Sequence, residues 1–263
     1  MKRIAMIVGG LMAAHAANAG VYVETVDHNL TTGSSGLKQK IYVQSGSGRF
    51  VDGEGRATLI KGDTLYVIDD KDKSYIVFDK ATMQQLATKL NAEMAKLKEQ
   101  LAKLPPEQRA QMEQMMGGAG MGGDGQQWTV EVVDTGKSDK VDGRSCKLWD
   151  VKRKGELDEQ ICVVPYSALP GKENFQTVFG NFAKVFEEMA KAVPMLSGMM
   201  ANEFSAQAKT NGYPVRRRDY EAGQLGDQET LVKVWREETI PAPMFEIPPG
   251  YKPKALPMGP PGR

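Results

Sequence analysis

Histidine is nearly missing from this chain. Of its two His, His15 falls within the first nineteen residues, which leaves His28 as the imidazole beyond them. A Ser-His-Asp arrangement needs such a base, and no Gly-x-Ser-x-Gly elbow frames a serine. His28 sits beside a polar turn and reads as an exposed strand-end residue. Cysteine is as scarce, with two residues, Cys146 and Cys162. A zinc site would need three or four Cys, His or carboxylate ligands at close spacing, so no metal is expected. Charge bias is absent as well. There are 34 Lys and Arg against 33 Asp and Glu, and removing Lys2 and Arg3 with the first nineteen residues takes the net charge from +1 to −1. A near-neutral chain lacks the basic surface that nucleic acid requires. Beyond residue 19 no apolar run approaches the roughly 18–20 residues that span a bilayer.

What is present begins at the N-terminus. Lys2 and Arg3 precede a short apolar stretch from Ile4 to Ala14, and Ala17-Asn18-Ala19 offers small residues for cleavage. Residues 1–19 read as a secretory signal peptide cut after Ala19. The mature chain is then periplasmic or secreted, in an oxidising space. There an even cysteine count reads as one disulfide. Ser145 to Arg153 and Glu156 to Val163 are strand-like, and a three-residue loop Arg153-Lys154-Gly155 would set Cys146 opposite Cys162 on one face of a hairpin. The other reading, a redox-active pair, lacks Cys-x-x-Cys spacing and a helix start that would lower a thiol pKa.

Residues 21–79 carry short β-branched and aromatic runs separated by polar turns, at Val21–Val26, Leu37–Val43, Arg49–Val51, Ala57–Ile60, Thr64–Ile68 and Ser74–Phe78. This spacing predicts an antiparallel meander. The period then changes. Met83, Leu86, Leu90, Met94, Leu97, Leu101 and Leu104 recur in steps of three and four, the stripe of a helix about six turns long. Pro105 stops it, and a second helix runs to Met116, so 80–116 reads as an inserted helical hairpin. Gly117 to Gln127 is a Gly-rich connector. Strand character returns at Trp128–Val133, in the cysteine hairpin, at Tyr213–Tyr220 and at Thr230–Glu237. Between them, residues 173–192 place Phe175, Val178, Phe179, Phe182, Val185, Phe186 and Met189 on one helical stripe. A shorter helix, Met195 to Ala208, follows. Phe245 and Ile247 are placed to pin a sheet edge, and residues 252–263 to form a disordered tail. Residues 20–251 are one α+β domain.

Asp70, Asp72 and Ser74 mimic the start of a calcium loop, but Tyr75 and Ala81 stand where Gly and Glu are needed. A solvated turn is the better reading. Of the 15 Met, twelve lie beyond residue 19. Met112, Met115, Met116 and Met121 cluster and could hold Cu(I) as thioethers. Their spacing also fits core packing, and Met gives adaptable surface to apolar ligands.

Three segments together resemble a known family. They are Gly62–Asp69 with Ser74-Tyr75 following, Thr135-Gly136-Lys137 through Asp142-Gly143-Arg144-Ser145-Cys146, and Phe245-Glu246-Ile247-Pro248-Pro249-Gly250-Tyr251. The chain is similar there to the exported bacterial proteins grouped as domain-of-unknown-function family 4412. Its strand–turn–strand start resembles the wider lipoprotein-carrier (LolA-like) superfamily. The resemblance implies a curved antiparallel sheet, a half-open barrel, wrapped around helices, with an apolar concave face able to hold an acyl chain. The expected function is non-enzymatic binding of a lipid-like or apolar ligand, or of an envelope partner, with no cofactor. Phe179, Phe182, Phe186, Met189, Met199 and Met200 are the expected lining. Two alternatives stand beside it: a structural or interaction protein of the envelope without ligand, and a Met-based copper-binding protein.

Overall fold

The computed structural model describes residues 19–105, 108, 130–192 and 209–255. The first eighteen residues, the second helix of the insert apart from residue 108, the connector, the whole of the expected 195–208 helix and residues 256–263 of the expected tail lie outside them.

Among the described residues every strand belongs to one open sheet, in the order β12-β6-β5-β4-β3-β2-β1-β11-β10-β9-β8-β7. The chain enters at the centre with β1 (Gly20–Asn29). It steps outward through β2 (Ser35–Gln44), β3 (Ser47–Asp52), β4 (Ala57–Lys61), β5 (Thr64–Asp69) and β6 (Ser74–Phe78). Helix α1 (Lys80–Ala102) follows. The chain resumes at the opposite edge with β7 (Val130–Val141) and returns through β8 (Arg144–Arg153), β9 (Glu156–Pro165), helix α2 (Lys172–Ala192), β10 (Gly212–Glu221) and β11 (Gln224–Glu238). There β11 pairs antiparallel with β1, Trp235 opposite Val23, and joins the two meanders. The fold is α+β, as the alternation and the two periodic helical stretches predict.

Local chemistry sets the hairpins. Ser45-Gly46, Asp142-Gly143, Lys154-Gly155 and Ala222-Gly223 all have both φ values positive, the geometry of a two-residue turn that follows strand twist. The cysteine hairpin therefore differs from expectation. Its loop has two residues, with Arg153 paired to Glu156, and a bulge between Val151 and Lys152 shifts the register. Cys162 lies opposite Leu148 rather than Cys146. The disulfide forms along the diagonal, with a Cα–Cα distance of 5.3 Å.

Asp79 starts α1 by accepting a hydrogen bond from the Thr82 N–H at 2.7 Å, satisfying one of the donors left free at a helix N-terminus. On α1, Met83 is buried with Leu65 and Val185, and Leu86 packs beside them. Helix α2 lies across the inner face of the sheet. Its Phe175 and Val178 are fully buried and Val185 nearly so. Each such side chain contributes about 1.5–3 kcal/mol on leaving water, before entropy is subtracted.

The outer face of β1–β6 is covered by the chain end. Ile240 and Phe245 are buried against Ala57, Leu59 and Ile68, with Met244, Ile247 and Tyr251 packed beside them. Phe245 and Ile247 thus lie on the sheet's outer face, whereas pinning the edge falls to β12 (Lys252–Pro253), which pairs parallel with Ser74 and Tyr75. Lys252 and Pro253, expected to open a tail, are strand. Arg49 points to this face and is buried. Its Nη1 donates to the Met244 and Glu246 carbonyls at 3.4 and 3.3 Å.

The β7–β11 half is rolled. Arg144 of β8 donates to the Val232 carbonyl of β11 at 3.3 Å. Arg216 of β10 meets Asp139 of β7 at 2.8 Å, and Lys233 of β11 meets Asp142 of the β7–β8 turn at 3.3 Å. Two intervening strands separate the first two of these pairs. Adjacent strands sit about 4.8 Å apart, so a flat sheet would hold such partners out of reach. Curvature brings them together.

Candidate functional site

The site that the fold builds is the apolar inner face beneath α2. Alternation delivers it, since residues two apart on a strand share a face. Val21 and Val23 of β1, Ile41 and Val43 of β2, Ile60 of β4, and Trp235 of β11 all belong to one buried cluster. Phe175 enters it from the start of α2. Its ring stacks on Trp235 with centroids 4.6 Å apart and meets Tyr213 edge-on at 5.6 Å. Phe179 follows one turn later, stacked on Phe175 at 5.8 Å and edge-on to Phe50 at 6.3 Å. Such pairs add roughly 0.5–1.5 kcal/mol each beyond area burial.

The polar atoms around this cluster are satisfied or inert. Trp235 Nε1 donates to the Pro170 carbonyl at 3.1 Å. Burial pushes the Tyr213 phenol up to about 12, so it stays neutral at physiological pH. What remains for a ligand is apolar contact. The helix is also tied along one side. Asn174 Nδ2 donates to the Ala19 carbonyl, its Oδ1 accepts from the Ser45 N–H, and Asn181 Nδ2 donates to the Gly46 carbonyl.

Of the expected lining, Phe179 and Phe182 are half-buried and face this cluster, and Phe182 also packs against the Leu65–Met83–Val185 group. The side chains of Phe186 and Met189, and all of Met199 and Met200, lie outside the described residues, as do Met112, Met115, Met116 and Met121. Phe50, Phe175, Tyr213 and Trp235 were not in the expected lining. Alternation alone hides Trp235: Lys233, two residues before it, is exposed, and the buried Val232 lies three residues away across a bulge in the pairing with β1.

Other residues weighed from sequence fall elsewhere. His28 Nδ1 meets the Ser35 hydroxyl at 2.8 Å on the exposed β1–β2 hairpin. Asp70 accepts from the Tyr251 hydroxyl at 2.8 Å, and Asp72 pairs with Lys254 at 2.5 Å, so this acidic turn anchors the chain end. A shallow depression of about 410 Å³ lies on α1, lined by Ala81, Gln84, Gln85, Thr88 and Lys89, away from the inner face. No described helix is long and apolar enough to cross a membrane.

Neither a protein-family model nor a curated protein sequence matches this chain.

Proposed function

We propose that this chain is an exported, non-enzymatic binding protein whose ligand is lipid-like or an apolar segment of an envelope partner, held on the inner face of the sheet under α2. One observation carries the reading: a broad apolar face is covered chiefly by one amphipathic helix, α2, with α1 joining it at Leu65. Access then needs displacement of a helix and leaves the strand ladder intact. Phe179 and Phe182, half-buried at that contact, are the first side chains a ligand would meet. The disulfide and the lack of a membrane-crossing helix among the described residues are compatible with export. The role is the one implied by the resemblance to the lipoprotein-carrier superfamily.

A second reading draws on a different observation. Phe175 and Val178 are already fully buried against the inner face, which suits a structural or interaction protein that takes no ligand. Native mass spectrometry of the full chain, purified from the envelope of its source, separates the two. A retained adduct of lipid mass, released by detergent, is expected. A protein without adduct that also fails to take up added palmitate would leave the ligand-free reading.

A further inference from the structure

One row of the rolled half is joined twice. Asp139 is the register partner of Cys146 across β7 and β8. Arg216 is the register partner of Cys162 across β10 and β9. The disulfide links the inner two residues. An ion pair links the outer two, with Arg216 Nη2 2.8 Å from Asp139 Oδ2. Because β8 and β9 lie between β7 and β10, and register partners share a face, the ion pair arches over the sulfur atoms. Cys146 is 3% exposed and Cys162 is fully buried, with Val141, Val164 and Val215 in the same apolar cluster and the ion pair closing the side of Asp139 and Arg216. The cover itself is uneven. The Arg216 side chain is 9% exposed and that of Asp139 is 41% exposed, so water and salt reach the pair from the Asp139 side. The Lys140 N–H and Arg216 hold the Asp139 carboxyl below its ordinary range, so it is ionised at neutral pH.

We propose that Cys146–Cys162 is an exchangeable disulfide gated by the Asp139–Arg216 pair, which makes the rolled half a redox switch for a dithiol reductant. Thiol–disulfide exchange needs a thiolate to approach one sulfur directly. Opening the ion pair clears that approach while the strand ladders stay formed. The attacking thiolate bonds to Cys146 Sγ. The sulfur–sulfur bond breaks, and its electron pair stays on Cys162 Sγ. Arg216, freed from Asp139 and adjacent to Cys162 in register, is the cation beside that leaving thiolate, and a neighbouring cation lowers a thiol pKa. The second thiol of the reductant then attacks the mixed disulfide and releases Cys146. Two electrons pass to the protein, the two protons of the dithiol end on the two cysteines, and the reductant leaves as its own disulfide. A disulfide with a purely structural role would be reduced at a rate set by global unfolding.

Reduction of the full chain by dithiothreitol, followed by alkylation and mass measurement, tests this, with the urea midpoint of each variant taken in parallel. Asp139→Ala is expected to be reduced roughly tenfold faster than its change in global stability explains, because a local opening replaces a global one. Molar sodium chloride should quicken reduction of the natural chain and leave Asp139→Ala unchanged, since salt screens exposed pairs. Arg216→Met loses the cover and also the cation, so it should be reduced more slowly than Asp139→Ala, and Arg216→Lys should recover part of that difference. Rates that follow the urea midpoints alone would overturn the gate. Equal rates for Arg216→Met and Asp139→Ala would overturn the role given to Arg216.

Discussion

The two halves of the sheet solve the same problem by different means. A sheet must cover its apolar inner face, and β1–β6 does so with two helices while the chain end covers the outer face. The β7–β11 half covers most of its inner face by rolling, and Phe175 of α2 closes the remainder at Tyr213 and Trp235. Its two edges meet through Arg144, Arg216 and Lys233, and the disulfide crosses the interior. The first half is thus assembled from parts that can separate. The second is tied by pairwise links within one surface. A ligand that needs apolar area has reason to use the first, and a reagent that acts on single bonds has reason to use the second.

The largest expected effect falls where α2 meets both halves. Phe175→Ala removes a fully buried ring that touches Trp235, Tyr213 and Phe179. A cost of about 3–5 kcal/mol is expected, read as a lower urea midpoint. Hydrogen exchange should quicken first in α2 and only afterwards in β7–β9. Uniform quickening would merge the halves into one cooperative unit.

Next is the disulfide. Cys146→Ala with Cys162→Ala removes a link between residues 16 apart, worth roughly 3 kcal/mol through the unfolded chain. Differential exchange should show β8 and β9 loosened and α2 protected. The chain end comes third. Arg49→Ala leaves the Met244 and Glu246 carbonyls without their buried donor. A loss of about 1–3 kcal/mol is expected, and limited proteolysis should cut between residues 239 and 255 while β7–β11 stays intact.

The smallest effect is acid sensitivity, and it sharpens the contrast because each half has its own carboxylate. The Thr82 N–H holds the Asp79 carboxyl below the ordinary value of 3.8. Asp139 is likewise held low, by the Lys140 N–H and by Arg216. A carboxylate whose pKa is lowered by folding stabilises the protein above its ordinary value, and that contribution fades as the pH falls through the lower, folded value. Stability should therefore hold from neutral pH down to about 4 and decline below it. Asp79→Ala should cost about 1 kcal/mol at neutral pH through the lost helix cap, and the decline below pH 4 should become shallower. An unchanged acid limb in urea titrations would remove Asp79 from the account.

Much of this was legible in the sequence because it is local. Period two places β1 to β6 and β8 to β11, and period 3.6 places α1 and α2 to within a residue or two at most ends. Strand order was not legible. Nothing in the composition of β1 says that it is central, or that β11 returns to pair with it. The diagonal geometry of the disulfide was hidden because a two-residue loop and one bulge at Val151/Lys152 each shift the register by one, and a bulge leaves little trace in alternation. The burial of Arg49 was not legible either, since its partners are carbonyls almost two hundred positions away. In the site, Phe179 and Phe182 were legible from the helical stripe. Their partners Phe50 and Trp235 depended on which strands α2 crosses.

The claim at the centre is that α2 must lift for an apolar ligand to reach the inner face. A Cβ at Gly48 would sit 2.6 Å from Val178 Cγ1, so Gly48→Cys with Val178→Cys offers a lock between β3 and α2. Binding of a fluorescent palmitate should be measured on the locked protein, on the natural chain, and on Val178→Cys alone. Saturable binding by the natural chain and by Val178→Cys, abolished in the locked protein, is the predicted result. Equal binding with the lock closed, or none by the natural chain, would contradict it.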